Sequence, residues 1–123
     1  MIKLLKKRKN KKPEENVRKF IIDYLVSNYN YNKSLFRIEK KINEIKQNFR
    51  PDIIIYDNYC KPFMIIECKA ISVELDENTV LQVIKYNNLL NSKYILITNG
   101  IKIFCWKLSD GKYIKSEIPK PNI

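Results

Sequence analysis

Residues 51–70 of the chain read PDIIIYDNYCKPFMIIECKA. This stretch contains two apolar runs, PDIIIY at 51–56 and PFMIIECKA at 62–70, and each run is hydrophobic at both odd and even positions. A strand with one face in water alternates apolar and polar residues, whereas a strand that is covered on both faces does not. The pattern therefore predicts two central strands of a sheet that carries helices on both sides.

The polar segment between the two runs is short enough to join them as a hairpin. With residues 58–61 as a four-residue loop, the register places Tyr56 opposite Phe63. The same register, carried to the far end of the hairpin, places Asp52 opposite Glu67, with both side chains on one face and the α-carbons roughly 5 Å apart. Two carboxylates are therefore predicted to converge at one edge of the sheet.

Lys69 follows Glu67 by two positions, so both side chains are expected on the face that carries Asp52. Two facing carboxylates repel each other once they are partly desolvated, and one lysine neutralises only part of that charge. Oxygen ligands with open coordination suit Mg²⁺, for which Mn²⁺ is the expected substitute. We therefore predict a metal held by Asp52, Glu67 and the backbone carbonyl of Cys68. Lys69 then orients or deprotonates a water beside a phosphodiester. The alternative is a surface Glu–Lys pair and a strand-capping aspartate.

The amino-acid composition excludes most other catalytic mechanisms and kinds of binding site. The 123 residues include no histidine, which excludes Ser–His and Cys–His nucleophiles and histidine metal ligands. With only two glycines there is no glycine-rich phosphate loop, so we expect any nucleotide-driven motor to be a partner. Three cysteines without CxxC spacing fit neither a zinc site nor a disulfide framework, which predicts a reducing, cytoplasmic location. No apolar run approaches membrane-spanning length, so we expect no membrane contact.

The charge is concentrated at the N-terminus. The formal net charge is +11, and residues 1–12 hold seven basic and no acidic residues. We therefore divide the chain into a basic arm, residues 1–12, and a single domain, residues 13–123. The arm is either a solvated tail or a phosphate-tracking segment, in which case Lys6, Lys7 and Arg8 bind DNA.

The rest of the chain supplies the helices and outer strands. Pro13 and the two acids after it are typical of a first helical turn. The Asn99-Gly100 pair is a turn signal that favours a hairpin. The patterns predict helices at 14–28 and 76–90, an edge strand at 35–42, and further strands within 93–100 and 101–108. Together with the two central strands, these elements predict a layered α/β sandwich.

The spacing of the candidate residues resembles that of a known superfamily. Pro51-Asp52, followed by Glu67-Cys68-Lys69 at the end of a hydrophobic strand, resembles the PD-(D/E)xK nucleases. The run from PEENVRKFIIDYL through FRPDIIIYDNYCKPFMIIECKA and QVIKYN to YILITNG resembles the N-terminal nuclease domain of type I restriction enzyme R proteins. The resemblance covers about residues 13–107. It implies a restriction-endonuclease-like α/β core, a central mixed sheet of about five strands flanked by helices.

The resemblance also implies roles for particular residues. Asp52 and Glu67 would be the metal carboxylates, and Lys69 would be the catalytic lysine. Glu15, in the first helix where the family has an acid, would be an additional metal or water ligand. Glu14 is the rival for that place.

Other polar residues lie close to these in the sequence. Gln82 and Tyr86 match a Q-x-x-x-Y motif found in part of the superfamily, and their spacing puts them on one flank of a helix; the alternative is ordinary helix packing. Arg50 precedes the metal carboxylate, Arg18 lies near the first-helix acids, and Lys85 lies between Gln82 and Tyr86. We expect each of these cations, together with Tyr86, to contact DNA near the site.

The resulting functional prediction is a Mg²⁺-dependent DNA nuclease. Restriction and DNA repair or recombination are both compatible with the residues. In the restriction subunit the nuclease domain is joined to an ATP-driven translocase, and we expect this chain to be a lone nuclease module. Its partners would be DNA and either a second copy of the chain or separate motor and specificity proteins. The alternatives are a non-catalytic basic nucleic-acid-binding module and a small basic RNA-associated protein, for which Asp52 and Glu67 would lie on different faces.

Overall fold

The computed structural model describes residues 13–38 and 51–121. Within these ranges it contains two α-helices, one short 3-10 helix at Lys33–Leu35 and six strands. The helices are α1 (Pro13–Tyr29) and α2 (Glu77–Leu90). The strands are β1 (Phe36–Ile38), β2 (Ile53–Tyr56), β3 (Pro62–Cys68), β4 (Tyr94–Thr98), β5 (Ile103–Ser109) and β6 (Lys112–Ser116). The part of the first predicted strand beyond residue 38 lies outside the described residues.

The strands form one mixed sheet in the order β1-β2-β3-β4-β5-β6. Neighbouring strands are antiparallel except β3 and β4, which are parallel and are connected through α2. A parallel pair needs such a crossover because its connection must return to the starting edge. The predicted α/β class with a mixed sheet is therefore confirmed, with six strands where about five were expected.

Both faces of the sheet are covered. On one face, α1 packs Val17, Ile21 and Leu25, which are fully buried, against residues of β2, β3 and β4. On the other face, α2 packs Val83 and Tyr86 against the alternate residues of the same three strands. The two-sided hydrophobicity of the central strands arises from this arrangement, since neither face meets water.

The hairpin between β2 and β3 departs from the predicted register near its loop. The pairing of Ile54 with Ile65 is as predicted, but Tyr56 pairs with Pro62 rather than with Phe63 because a bulge lies between Ile55 and Tyr56. Asp57 explains the shift. Its Oδ1 accepts hydrogen bonds from the N–H groups of Tyr59 and Lys61, and its own N–H donates to the Lys61 carbonyl at 2.8 Å. These bonds fold the connection differently from the four-residue loop at 58–61 on which the predicted register was based.

The sixth strand, β6, was missed by the sequence prediction, which stopped after the segment 101–108. β5 and β6 are joined by Asp110 and Gly111, with φ of 50° and 76°, and Ser109 pairs with Lys112. Two central residues with positive φ form the hairpin turn that matches the twist of paired strands. The Asp-Gly pair was therefore the signal for this strand.

The hairpin predicted at Asn99-Gly100 is confirmed between β4 and β5. Its loop comprises residues 99–102, and Asn99 Oδ1 accepts hydrogen bonds from the N–H groups of Ile101 and Lys102. In the described ranges, no helix is long and apolar enough to cross a lipid bilayer.

Candidate active site

Asp52 and Glu67 lie at the same edge of the sheet. β2 and β3 are antiparallel, so the start of β2 and the end of β3 meet, and the last paired residues of the ladder are Ile53 and Ile66. The Asp52 N–H donates to the Ile66 carbonyl at 3.1 Å, and its Oδ2 accepts from the Cys68 N–H at 2.7 Å. Asp52 is 2% exposed and Glu67 is 4% exposed. Two buried carboxylates thus flank the end of β3, one of them held by the strand's own backbone.

Lys69 continues the chain directly after β3. Its Nζ lies 3.4 Å from Glu67 Oε2, and its side chain is about one-quarter exposed while that of Glu67 is buried. The Lys69 N–H donates to the Thr98 carbonyl at 2.9 Å, which ties this residue to the end of β4. Its ammonium group is therefore both paired with a buried carboxylate and accessible from solvent.

Cys68 shows which residues of α1 approach this edge. It is buried in the core under α1, and burial raises the pKa of its thiol well above the ordinary value. The carboxylates of Asp52 and Glu67 raise the pKa further, Glu14 adds a smaller increase, and Arg18 lowers it. Glu14 and Arg18 are therefore close enough to act electrostatically on the end of β3.

The two candidate acids of the first helix differ in their surroundings. Glu14 is half-buried and acts on Cys68, whereas the side chain of Glu15 is exposed. Successive helical residues point about 100° apart, so only one of two neighbours can face the sheet edge. Of the two acids, Glu14 is therefore the one that acts on the end of β3.

α2 brings Gln82 and Tyr86 to the carboxylates on the sheet face that all four residues share. The pKa of Tyr86 is raised to about 12, mainly by burial and then by the negative charges of Glu67 and Asp52. A hydrogen bond between the Tyr86 and Gln82 side chains acts in the opposite direction. Gln82 and Tyr86 are thus paired as their spacing suggested, and Tyr86 is in electrostatic reach of both carboxylates.

The other predicted contact residues are not assembled here. Lys85 is exposed on α2. Arg50, Lys6, Lys7 and Arg8 lie outside the described residues, so the structure says nothing about them.

One feature of this edge was not predicted. Asn99 Nδ2 donates to the Val73 carbonyl at 2.8 Å, which fixes the segment after Lys69 against the β4–β5 turn. The Asn-Gly pair indicated a turn at this position, but it did not indicate what the amide would bind. That contact depends on the parallel pairing of β3 with β4, which is not a local property of the sequence.

The donor set suits a hard cation that retains water. Among the described residues no group of three or more histidine, cysteine, aspartate and glutamate side chains could hold a metal. Two carboxylates and a backbone carbonyl nevertheless provide oxygen ligands, and Mg²⁺ is commonly bound by one or two carboxylates while it keeps several waters. A cation held by these two carboxylates alone would keep most of its coordination positions for water.

The whole of this arrangement lies within one family match. A family model described as Type I restriction enzyme R protein N terminus (HSDR_N) matches residues 13–120. The chain belongs to this family. The match runs from α1 through β6 and includes both carboxylates and Lys69. Membership in the R protein N-terminus family indicates a restriction-related role. No curated protein matches the chain in sequence.

Proposed function

We propose that this R protein N-terminal domain is a metal-dependent nuclease that hydrolyses phosphodiester bonds of DNA. The observation that carries the proposal is the pair of buried carboxylates, Asp52 and Glu67, beside a lysine at the end of β3. A domain that only binds nucleic acid gains nothing from two acids at one edge, because they repel the phosphates it must attract. A nuclease needs them for a cation.

Charge balance supports a divalent metal. Two carboxylates with less than 5% exposure lose most of their hydration, and two like charges at one edge of the sheet disfavour each other. Asp52, Glu67 and the carbonyl of Cys68 would hold Mg²⁺, or Mn²⁺ in its place. When bound, the metal would supply a more acidic water and an electrophile for the phosphate oxygens.

The protein's own residues then have separate tasks. The Cys68 N–H holds the Asp52 carboxylate in one orientation. The Lys69 side chain is one-quarter exposed, so its ammonium group would meet an attacking water or a phosphate oxygen that enters from solvent. It would orient that water or stabilise the negative charge that develops on the phosphate.

The neighbouring helices supply the outer part of the site. Glu14 is the acid of α1 that we assign to an outer metal ligand or water, with Glu15 as the alternative, and Arg18 is placed to meet a phosphate. Gln82 and Tyr86 act as a hydrogen-bonded pair next to the carboxylates.

The substrate assignment rests on charge and family. The net charge of +11 favours a polyanion, and a restriction-related role makes DNA the expected polyanion. Motor and specificity subunits, or a second copy of the chain, are the partners that such a role would involve.

A cleavage assay on duplex, single-stranded and branched DNA tests the proposal. With Mg²⁺ we expect at least one of the three substrates to be cut, and with EDTA we expect none to be cut. DNA binding without cleavage under every metal condition would support the non-catalytic binding module instead. Cleavage that EDTA leaves unchanged would contradict the metal site.

A further inference from the structure

A second charged feature lies at the opposite end of the sheet from the carboxylates. Lys93, Lys107 and Lys120 line an open cleft of about 410 Å³, whose apolar lining includes Phe63 and Tyr94. The cleft lies at the start of β3 and β4 and the end of β5, on the sheet face that α1 covers. The carboxylates lie at the end of β3, on the face that α2 covers. β3 has seven residues, so about 20 Å separates the two ends. We call this feature the lysine cleft.

The backbone fixes the three lysines relative to one another. Lys107 pairs with Tyr94 across β4 and β5, and the Leu108 N–H donates to the Lys93 carbonyl at 2.8 Å. Lys120 belongs to the segment after β6. That segment is tied to the core because the Tyr31 hydroxyl donates to the Pro119 carbonyl at 2.5 Å. Three separate segments of the chain therefore each contribute a lysine to one cleft.

The apolar lining is also rigid. The Phe63 and Tyr94 rings pack with centroids 5.2 Å apart, and Phe63 is buried in the core under α1. The packed Phe63 and Tyr94 rings fix the shape of the cleft. The long lysine side chains can adjust to a ligand without changing that shape.

Charge around the cleft is predominantly positive. None of the described residues that line it is acidic. Lys93 acts on the carboxylate of Asp57, whose pKa is lowered by backbone hydrogen bonds first and by Lys93 and Lys61 to a smaller extent. Asp57 Oδ1 accepts hydrogen bonds from two N–H groups, so this carboxylate stabilises the loop between β2 and β3. The cleft therefore retains an excess of cations for an external anion.

We propose that the lysine cleft binds backbone phosphates of DNA. The identity of the polyanion rests on the proposed function, whereas the cleft itself does not. The cleft would supply affinity without chemistry.

A charge-neutralised variant tests this directly. Lys93→Gln, Lys107→Gln and Lys120→Gln are combined and compared with a control triple, Lys19→Gln, Lys33→Gln and Lys112→Gln, whose residues are exposed and do not line the cleft. Duplex DNA binding is measured in EDTA at several salt concentrations, so that cleavage plays no part. Each lysine that contacts a phosphate contributes about one to the slope of log K against log salt. We expect the cleft triple to lose up to ~3 from that slope and the control triple to lose little.

The outcomes separate the cleft from the nuclease proposal. All six side chains are exposed, so both triples are expected to unfold at the wild-type temperature. Equal salt slopes of DNA binding in the two triple variants would contradict the proposal. It would also be contradicted if the cleft triple lost affinity for inorganic pyrophosphate but not for DNA. If the cleft triple alone has the shallower slope and the wild type never cuts DNA, the cleft stands and the nuclease proposal fails.

Discussion

The contacts of Lys69 fit both a structural and a chemical role. Its ammonium group pairs with the buried Glu67 carboxylate, and its side chain is also reachable from solvent. If its role is chemical, Lys69→Ala should reduce the single-turnover cleavage rate by ~10²-fold or more, as expected when one preorganised cation leaves a site where charge develops. Metal affinity should be largely retained, since the oxygen ligands remain. Lys102→Ala, which removes an exposed lysine near the same edge, is the control and should cut DNA at the wild-type rate. A Lys69→Ala rate that falls only with the folded fraction would show a structural role.

Tyr86 reports on the carboxylates without requiring activity. Its pKa is raised to about 12 by burial and by the charges of Glu67 and Asp52. Glu67→Gln removes one of these charges, so the phenolate becomes less unfavourable and the Tyr86 pKa should fall. NMR of tyrosine labelled at Cζ, with Tyr86→Phe to assign the resonance, measures the change. An unaltered Tyr86 pKa in Glu67→Gln would mean that the carboxylate does not act on this hydroxyl.

The same shift carries a stability consequence at alkaline pH. The Tyr86 pKa is higher in the folded protein than the ordinary value of 10.0. Its contribution to stability is therefore fully present below pH 10 and is lost as the pH rises toward about 12. Between these two values the free energy of unfolding should decrease less steeply in Tyr86→Phe than in the wild type.

Residue-level prediction succeeded where it depended on local register. The edge at which Asp52 and Glu67 meet could be predicted because a hairpin relates its two strands by simple pairing. The hydrogen bond from the Cys68 N–H to Asp52 could not be predicted, since it depends on how the chain enters β2. Glu14 and Glu15 could not be separated either, because the rotation of α1 against the sheet is set by packing and not by the helix sequence.

At the scale of the element, α2 carries Gln82 and Tyr86 and depends on its first turn. Asp76 is its N-cap and accepts a hydrogen bond from the Thr79 N–H at 3.1 Å. Asp76→Ala should lower the free energy of unfolding by about 1 kcal/mol, the usual cost of losing a cap. Asp76→Ser keeps a capping oxygen and should lose a smaller part of that stability. Chemical denaturation of the three proteins measures the difference, and equal stability of Asp76→Ala and wild type would show that the cap is dispensable.

The elements with a strong apolar pattern were predicted from the sequence. The bulge in β2 and the strand β6, which depend on particular turns, were not. The central strands and α2 combine apolar patterning with clear end signals, and they lie within a few residues of their predicted positions. The bulge at Tyr56 was missed because Asp57 organises the loop through its side chain. β6 was missed because its residues are largely exposed and its sequence, KYIKS, has little apolar signal.

The two ends of the sheet differ in charge. The carboxylates lie at the end of β3, and the lysine cleft lies at its start. Charge counting predicted a basic protein that binds a polyanion, but it did not predict this separation. The cleft depends on the parallel placement of β4 beside β3 and on the return of the segment after β6, which are long-range features of the topology.

The central claim is that Asp52 and Glu67 form a metal site that cuts DNA. The most direct test is single-turnover cleavage by Glu67→Gln with Mg²⁺, measured on the DNA that the wild type cuts best, beside the thermal unfolding of the same variant without metal. Glu67 is 4% exposed, and glutamine keeps its shape while it removes a charge that repels Asp52. We predict no metal-dependent cleavage and an unfolding temperature at or above that of the wild type. A folded Glu67→Gln protein that cuts DNA at the wild-type rate would contradict the claim.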